Sequence, residues 1–200
     1  MRVIVGLGNP GDQYRGSRHN AGYLVVAGLA RAHSIRLAAG SGDFMSGPGS
    51  VGGQRVLLVL PLTYMNDSGR AVSQVVAQAD ALPDDVLVVC DDVNLPLGRL
   101  RMRVAGSDGG HKGLRSVARA LGTEGFPRLR LGVGAPREDC DTADYVLDGF
   151  LDSELATVEE MVGRAQEAIE MALAEGYQKA MSAYNRGERV EDAQGPQEDS

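Results

Sequence analysis

Two residues offer acid–base chemistry: His19, just before a helix-like run, and Asp91, at the end of an apolar strand. His19 stands in Tyr14-Arg-Gly-Ser-Arg-His-Asn20, with Asn20 placed to cap the helix that follows. Asp91 and Asp92 follow the buried-looking run Asp85–Cys90 (DVLVVC). Open α/β sheets put their sites in loops at such strand ends. An imidazole beside a carboxylate makes a general base, because the carboxylate fixes the tautomer and stabilises the imidazolium that forms. Taken singly, each has an ordinary explanation: a surface or capping histidine, an aspartate capping a turn. No Ser or Cys occupies a nucleophile elbow such as G-x-S-x-G, so activated water is the expected nucleophile. Cys90, inside the apolar strand, reads as core.

Three further loops carry polar groups. Thr63–Gly69 follows the strand Arg55–Pro61 and sets Met65 beside Asn66, one apolar contact next to an amide that both donates and accepts. Gly109-Gly-His111-Lys112-Gly113 is a turn opening a helix, whose first N–H groups would receive an anion. Gly6-Leu-Gly-Asn-Pro-Gly11 formally satisfies G-x-G-x-x-G, but its third glycine opens no helix. The acid expected about twenty residues on is also missing, so a dinucleotide site is not expected. Cys90 and Cys140 show no metal spacing, and no metal or cofactor is expected.

The elements that must position these residues alternate along the chain. Strands are read at Arg2–Leu7, Arg55–Pro61, Asp85–Cys90, Leu100–Val104 and Arg128–Val133; helices at Asn20–His33, Ser68–Gln78 and Gly113–Leu121. Gly40–Gly53 reads as an exposed connection or hairpin. From Leu151 to Tyr184 apolar residues recur every three or four positions, giving one long amphipathic helix or two joined near Gly176. Arg186–Ser200 lacks periodicity and reads as a disordered acidic tail. The expected fold is a single three-layer α/β/α domain over residues 1–185, with a mixed, mostly parallel sheet and a long C-terminal amphipathic helix.

Two hundred residues at 43% hydrophobic and 24% charged exclude wholesale disorder. No apolar run approaches the roughly 18–20 residues of a membrane span, and the start of the chain lacks a secretory pattern, so a cytoplasmic, reduced setting is expected. The net charge of −7 is unevenly spread: residues 152–200 hold twelve acids against four bases. Residues 99–130 instead carry eight bases (Arg99, Arg101, Arg103, Lys112, Arg115, Arg119, Arg128, Arg130) against Asp108 and Glu124. A basic patch inside an acidic chain suits a polyanion handled at one site.

In order and spacing, five blocks resemble the bacterial-type peptidyl-tRNA hydrolase family over about residues 2–185. They are VGLGNPGxxYxxSRHNAG (Val5–Gly22), PLTYMNxSG (Pro61–Gly69), DDVNLPLG with GGHKGL (Asp91–Gly98, Gly109–Leu114), RLRLGVG (Arg128–Gly134) and YVL (Tyr145–Leu147). The resemblance implies an enzyme that hydrolyses the ester between a peptide and the 3′ ribose of tRNA; a monomer is the default expectation, since the acidic helix and tail offer no symmetric apolar patch. The resemblance puts the base on His19, its partner on Asp91, contacts to the peptide and 3′ end on Asn9, Met65 and Asn66, a supporting or tRNA contact on His111, and Tyr14 near the site. Arg103 and Arg130 match a clamp for the tRNA 5′-phosphate, and Arg137–Phe150 matches a lid. The chain departs from the family pattern at Lys112, where many members carry Asn in an oxyanion role, and at Cys90. The other reading, a non-catalytic RNA-binding module on the same fold, predicts a damaged base or partner; His19, Asp91, Asn9 and Asn66 are all present.

Overall fold

The computed structural model describes residues 1–137 and 139–185; the acidic stretch 186–200 lies outside the described residues. Seven strands form one sheet in the order β2-β3-β4-β1-β5-β7-β6. They are β1 (Arg2–Gly6), β2 (Ala38–Ala39), β3 (Phe44–Val51), β4 (Gln54–Pro61), β5 (Val86–Asp92), β6 (Leu100–Arg103) and β7 (Arg128–Gly132). The centre, β4-β1-β5-β7, is parallel, and the margins β2-β3-β4 and β7-β6 are antiparallel. Every residue of β5 is buried, as a strand covered on both faces requires.

Side chains along the central strands divide with period two. Ile4, Leu87 and Val89 face a core shared with α1 (Ala21–Ala32) and α5 (Leu155–Glu175). Val3, Val5, Val86 and Val88 face α2 (Ser68–Ala79) and α3 (Lys112–Leu121). The C-terminal stripe resolves into two helices, α5 and α6 (Tyr177–Tyr184), broken at Gly176, whose φ of +93° suits glycine. Just after α6 the Asn185 amide pairs with the outer edge of β6: Met102 N donates to its Oδ1 at 2.7 Å and its Nδ2 donates to Met102 O at 3.0 Å.

Of the two readings of Gly40–Gly53, the hairpin holds, and most of the segment is its first strand. β3 pairs with the whole length of β4, turning through Gly52 and Gly53 at positive φ. Its glycines and Pro48 hid it, and the antiparallel partner supplies what intrinsic propensity lacks.

The topology fixes where a site can form. β1 is flanked by β4, which α1 and the β2–β3 strands lead to on one side, and by β5, which α2 leads to on the other, so a crevice opens at the carboxyl ends of these strands. The turns after β1, β4 and β5 all meet there.

Candidate active site

His19 lies in a short 3-10 turn, Arg18–Asn20, that leads into α1. Glycines bring this turn down onto the sheet. A Cβ on Gly22 would lie 2.7 Å from both Leu7 N and Leu7 O and closer still to Val89 O; one on Gly6 would run into Gly22 O. The glycines of the G-x-G-x-x-G match therefore serve helix–sheet contact, with Gly8 packed under the Tyr23 ring. Gly11 (φ +108°) turns the chain into a 3-10 segment, Asp12–Tyr14, and no helix opens there to receive a pyrophosphate.

The close approach brings His19 Nδ1 to 2.8 Å and 2.9 Å from the two oxygens of Asp91, which is 1% exposed. An ionised carboxylate only accepts, so Nδ1 carries the proton and Nε2 presents its lone pair to the cavity. His111 Nε2 lies 2.9 Å from Asp91 Oδ1. Its Nδ1 accepts from Gly113 N and Leu114 N, each at 3.1 Å. The His111 imidazole is thus the N-cap of α3, and two backbone donors fix it in the Nε2–H form. Those N–H groups are not available to an anion, contrary to the expectation from the glycine-rich turn. Burial alone would push the Asp91 carboxyl up, but the hydrogen bonds from His111 and His19 hold it well below the usual carboxylate range.

His19, Asp91 and His111 bring their ligand atoms within 4.8 Å of one another, close enough for a metal by distance alone. The donor set does not fit one. A cation held by His111 Nε2 needs the lone pair there, and a neutral imidazole offers only one, already directed at Gly113 and Leu114. The cluster is built around protons.

Asn20 does not cap α1 with its side chain. Its Oδ1 accepts from Asn9 N at 2.8 Å and its Nδ2 donates to Asn9 O at 3.0 Å, gripping that peptide unit from both sides. Asn9 Oδ1 in turn accepts from Met65 N at 2.7 Å, which leaves Asn9 Nδ2 as a donor facing the cavity. Asn20 was legible only as a cap; its actual partner is Asn9, in the turn after β1.

The cavity of about 900 Å³ gathers Asn9, Tyr14, His19, Met65, Asn66, Asp91, His111, Lys112 and Arg130. Its far wall is α4 (Thr142–Leu147) with Asp141, inside the segment expected to be a lid. Arg103 lies outside it. Register pairs Arg101 with Arg130 and Arg103 with Arg128, so four guanidinium groups share one face of β6 and β7. Arg128 is buried against the carbonyls of Glu124, Phe126 and Gly106. Arg130 donates to Asp92 Oδ2 at 3.0 Å and to Ser107 O at 2.7 Å. Asp92 already balances Arg130, and Arg103 is exposed with no ion pair among the described residues. Cys90 is fully buried and its thiol is pushed up, first by burial, which suits core.

A parallel-centred sheet with an imidazole–carboxylate pair in the crevice at its switch point defines an α/β protein with its candidate site at the carboxyl ends of the strands. The chain belongs to the peptidyl-tRNA hydrolase family, whose model matches residues 3–193. It is 45% identical to the peptidyl-tRNA hydrolase of Carboxydothermus hydrogenoformans over 187 residues, covering 94% of this chain and all of that protein. With the Bacillus subtilis peptidyl-tRNA hydrolase the identity is 40%, covering 92% and 98% of the two chains. The crystal structure of peptidyl-tRNA hydrolase from Acinetobacter baumannii superposes with a TM-score of 0.87 at 33% identity, covering 92% of this chain and 94% of that one.

Proposed function

We propose that this protein hydrolyses the ester joining a peptide to the 3′ ribose of tRNA, using water activated by His19. The observation that carries the mechanism is the His19 Nδ1 bond to buried Asp91, which turns Nε2 toward the cavity as an acceptor. Water gives a proton to Nε2 as its oxygen attacks the ester carbonyl. The tetrahedral oxyanion is met by the amide donors of Asn9 and Asn66. Collapse breaks the bond to the ribose oxygen, which takes the proton back from His19. The intact base and partner, held in contact, favour an enzyme over a binding module. The test is incubation with N-blocked aminoacyl-tRNA plus a chelator: release of the blocked amino acid is expected, and intact substrate after prolonged incubation would refute the reading.

Lys112 serves the RNA rather than the oxyanion. It begins α3 and shares an exposed helix face with Arg115 and Arg119, three and seven residues on. It lines both the cavity and the adjoining groove that holds Arg70, Arg115 and Arg119. A long flexible cation also places a single donor less accurately than an amide does. Lys112→Ala is therefore expected to raise KM for tRNA esters several-fold at low salt, with the difference shrinking as salt screens it. A pure kcat defect at every ionic strength would assign Lys112 to the oxyanion instead.

Arg103 and Arg130 form the 5′-phosphate clamp, but unequally. Arg103→Ala is expected to raise KM, leave kcat within about twofold, lessen the salt dependence by about one ion and reduce the preference for 5′-phosphorylated tRNA. Arg130→Ala has a second effect, because it strands Asp92, buried next to Asp91 on β5. It should therefore lower kcat as well. Undiminished preference for phosphorylated tRNA in both variants would remove the clamp.

A further inference from the structure

Arg18 precedes the catalytic histidine, yet it is 4% exposed and takes no part in the chemistry described above. Its guanidinium lies between two rings of the segment that walls the cavity, 4.5 Å from the Tyr145 centroid and 4.8 Å from that of Phe150. Its Nη2 donates to Glu154 Oε2 at 2.8 Å and its Nη1 to Val133 O at 3.4 Å. The same carbonyl accepts the Tyr145 hydroxyl at 2.9 Å, and Glu154 Oε2 also accepts Leu151 N at 2.7 Å. Main chain adds to this: Arg18 N donates to Asp148 O at 3.0 Å, and Ser17 forms an isolated antiparallel bridge with Gly149. One side chain thus joins the turn carrying His19 to the residue after β7, to α4 through Tyr145, to the stretch after α4 through Phe150 and to the turn before α5 through Glu154.

A buried ion pair is a poor source of stability, since apolar groups of the same volume often do as well. Arg18 Nε is buried without a partner among the described residues, a further cost of placing a cation here. What the arrangement provides is direction: a planar group held between two rings and bonded at both amino ends has one orientation. Burial would push the Glu154 carboxyl up, but the Arg18 guanidinium and the Leu151 N–H hold it below its usual range, so the pair stays charged at neutral pH.

We propose that Arg18 is a positioning residue that latches the α4 wall, with Val146 and Leu147, against the acyl part of the substrate. This rests on the peptidyl-tRNA reading for the identity of the substrate, but the latch itself does not. His19 is held separately, by Asp91 and by the contact of Gly22 with the sheet. Loosening the latch therefore weakens binding of the peptide end and spares proton transfer.

The test uses R18M, E154Q and Y145F in the full chain. In R18M and E154Q, KM for N-blocked aminoacyl-tRNA is expected to rise about tenfold, with kcat within about threefold and its pH profile unmoved. Combining the two should cost much less than the product of the single effects, because each single variant already breaks the same Arg18–Glu154 pair. Y145F keeps the ring and loses only the bond to Val133 O, so it should show a smaller rise in KM on a fully folded protein. Amide hydrogen exchange without substrate gives a readout independent of activity. Exchange at Thr142–Leu147 should quicken in all three variants while β5 is unchanged. A lowered melting temperature with KM and α4 exchange both unmoved would make Arg18 merely structural and overturn the proposal. A wild-type protein that releases nothing from the substrate would refute the functional reading alone, leaving the exchange result to decide the latch.

Discussion

Replacing His19 with Ala is expected to lower kcat by about 10²- to 10⁴-fold, the usual worth of a positioned general base, with KM little changed. Asp91→Asn should cost somewhat less, because the base remains and only its tautomer and the charge behind it are lost. Both variants should remain folded. With Asp91 held below the usual carboxylate range, its share of stability is complete above about pH 4, the unfolded value, and is lost only as pH falls through the lowered one. Folded His19→Ala protein with normal turnover would end the mechanism.

Gly22→Ala is expected to be damaging out of proportion to one methyl group. The new Cβ meets backbone on two sides, Val89 O and the peptide of Leu7, and neither can rotate away. Overpacking of this kind costs about 1–3 kcal/mol, which for a chain of this size lowers the melting temperature by about 2–4 °C per kcal/mol. The relaxation available to α1 is to lift off the sheet, and that carries His19 away from Asp91. Stability and kcat should therefore fall together, with the loss of kcat persisting at temperatures where the variant is fully folded. Gly163→Ala in α5 is the control: no atom lies within 4 Å of its Cβ, and loss of helix-interior glycine should raise stability by about 0.5–1 kcal/mol. Equal melting temperatures for Gly22→Ala and wild type would show that the contact is soft.

Local chemistry was readable in advance where it depends on residue type and strand ends. The apolar run before Asp91 and the helix after His19 placed both at the carboxyl edge of the sheet, where they meet at 2.8 Å. What escaped was partnership across the chain. Asn20 looked like a cap because its neighbours in sequence are a helix, while its real partner, Asn9, lies eleven residues back in the turn after β1. Asp92 was seen only as a second acid beside Asp91, and nothing local assigned it to Arg130, 38 residues on. Arg18 sat within the S-R-H-N block with no role, since Glu154 and the two rings that hold it are brought by a distant segment. The strand β3 was hidden for a related reason: its composition argues for a loop, and only its antiparallel neighbour makes it a strand.

The Asn185 side chain at the outer edge of β6 bears on how the molecule behaves in a crowded solution. An edge strand with open peptide groups is a template on which a second chain can lay a strand of its own. In β6, four residues long, the outward-facing N–H and C=O of Met102 are both occupied by one amide, which imitates a neighbouring strand for a single residue and offers no way to continue it. The opposite margin, β2, is only two residues long. The β6 margin is thus closed to growth by a side chain, without the sheet forming a barrel, while at the other margin β2 covers β3 only at Met45 and Ser46.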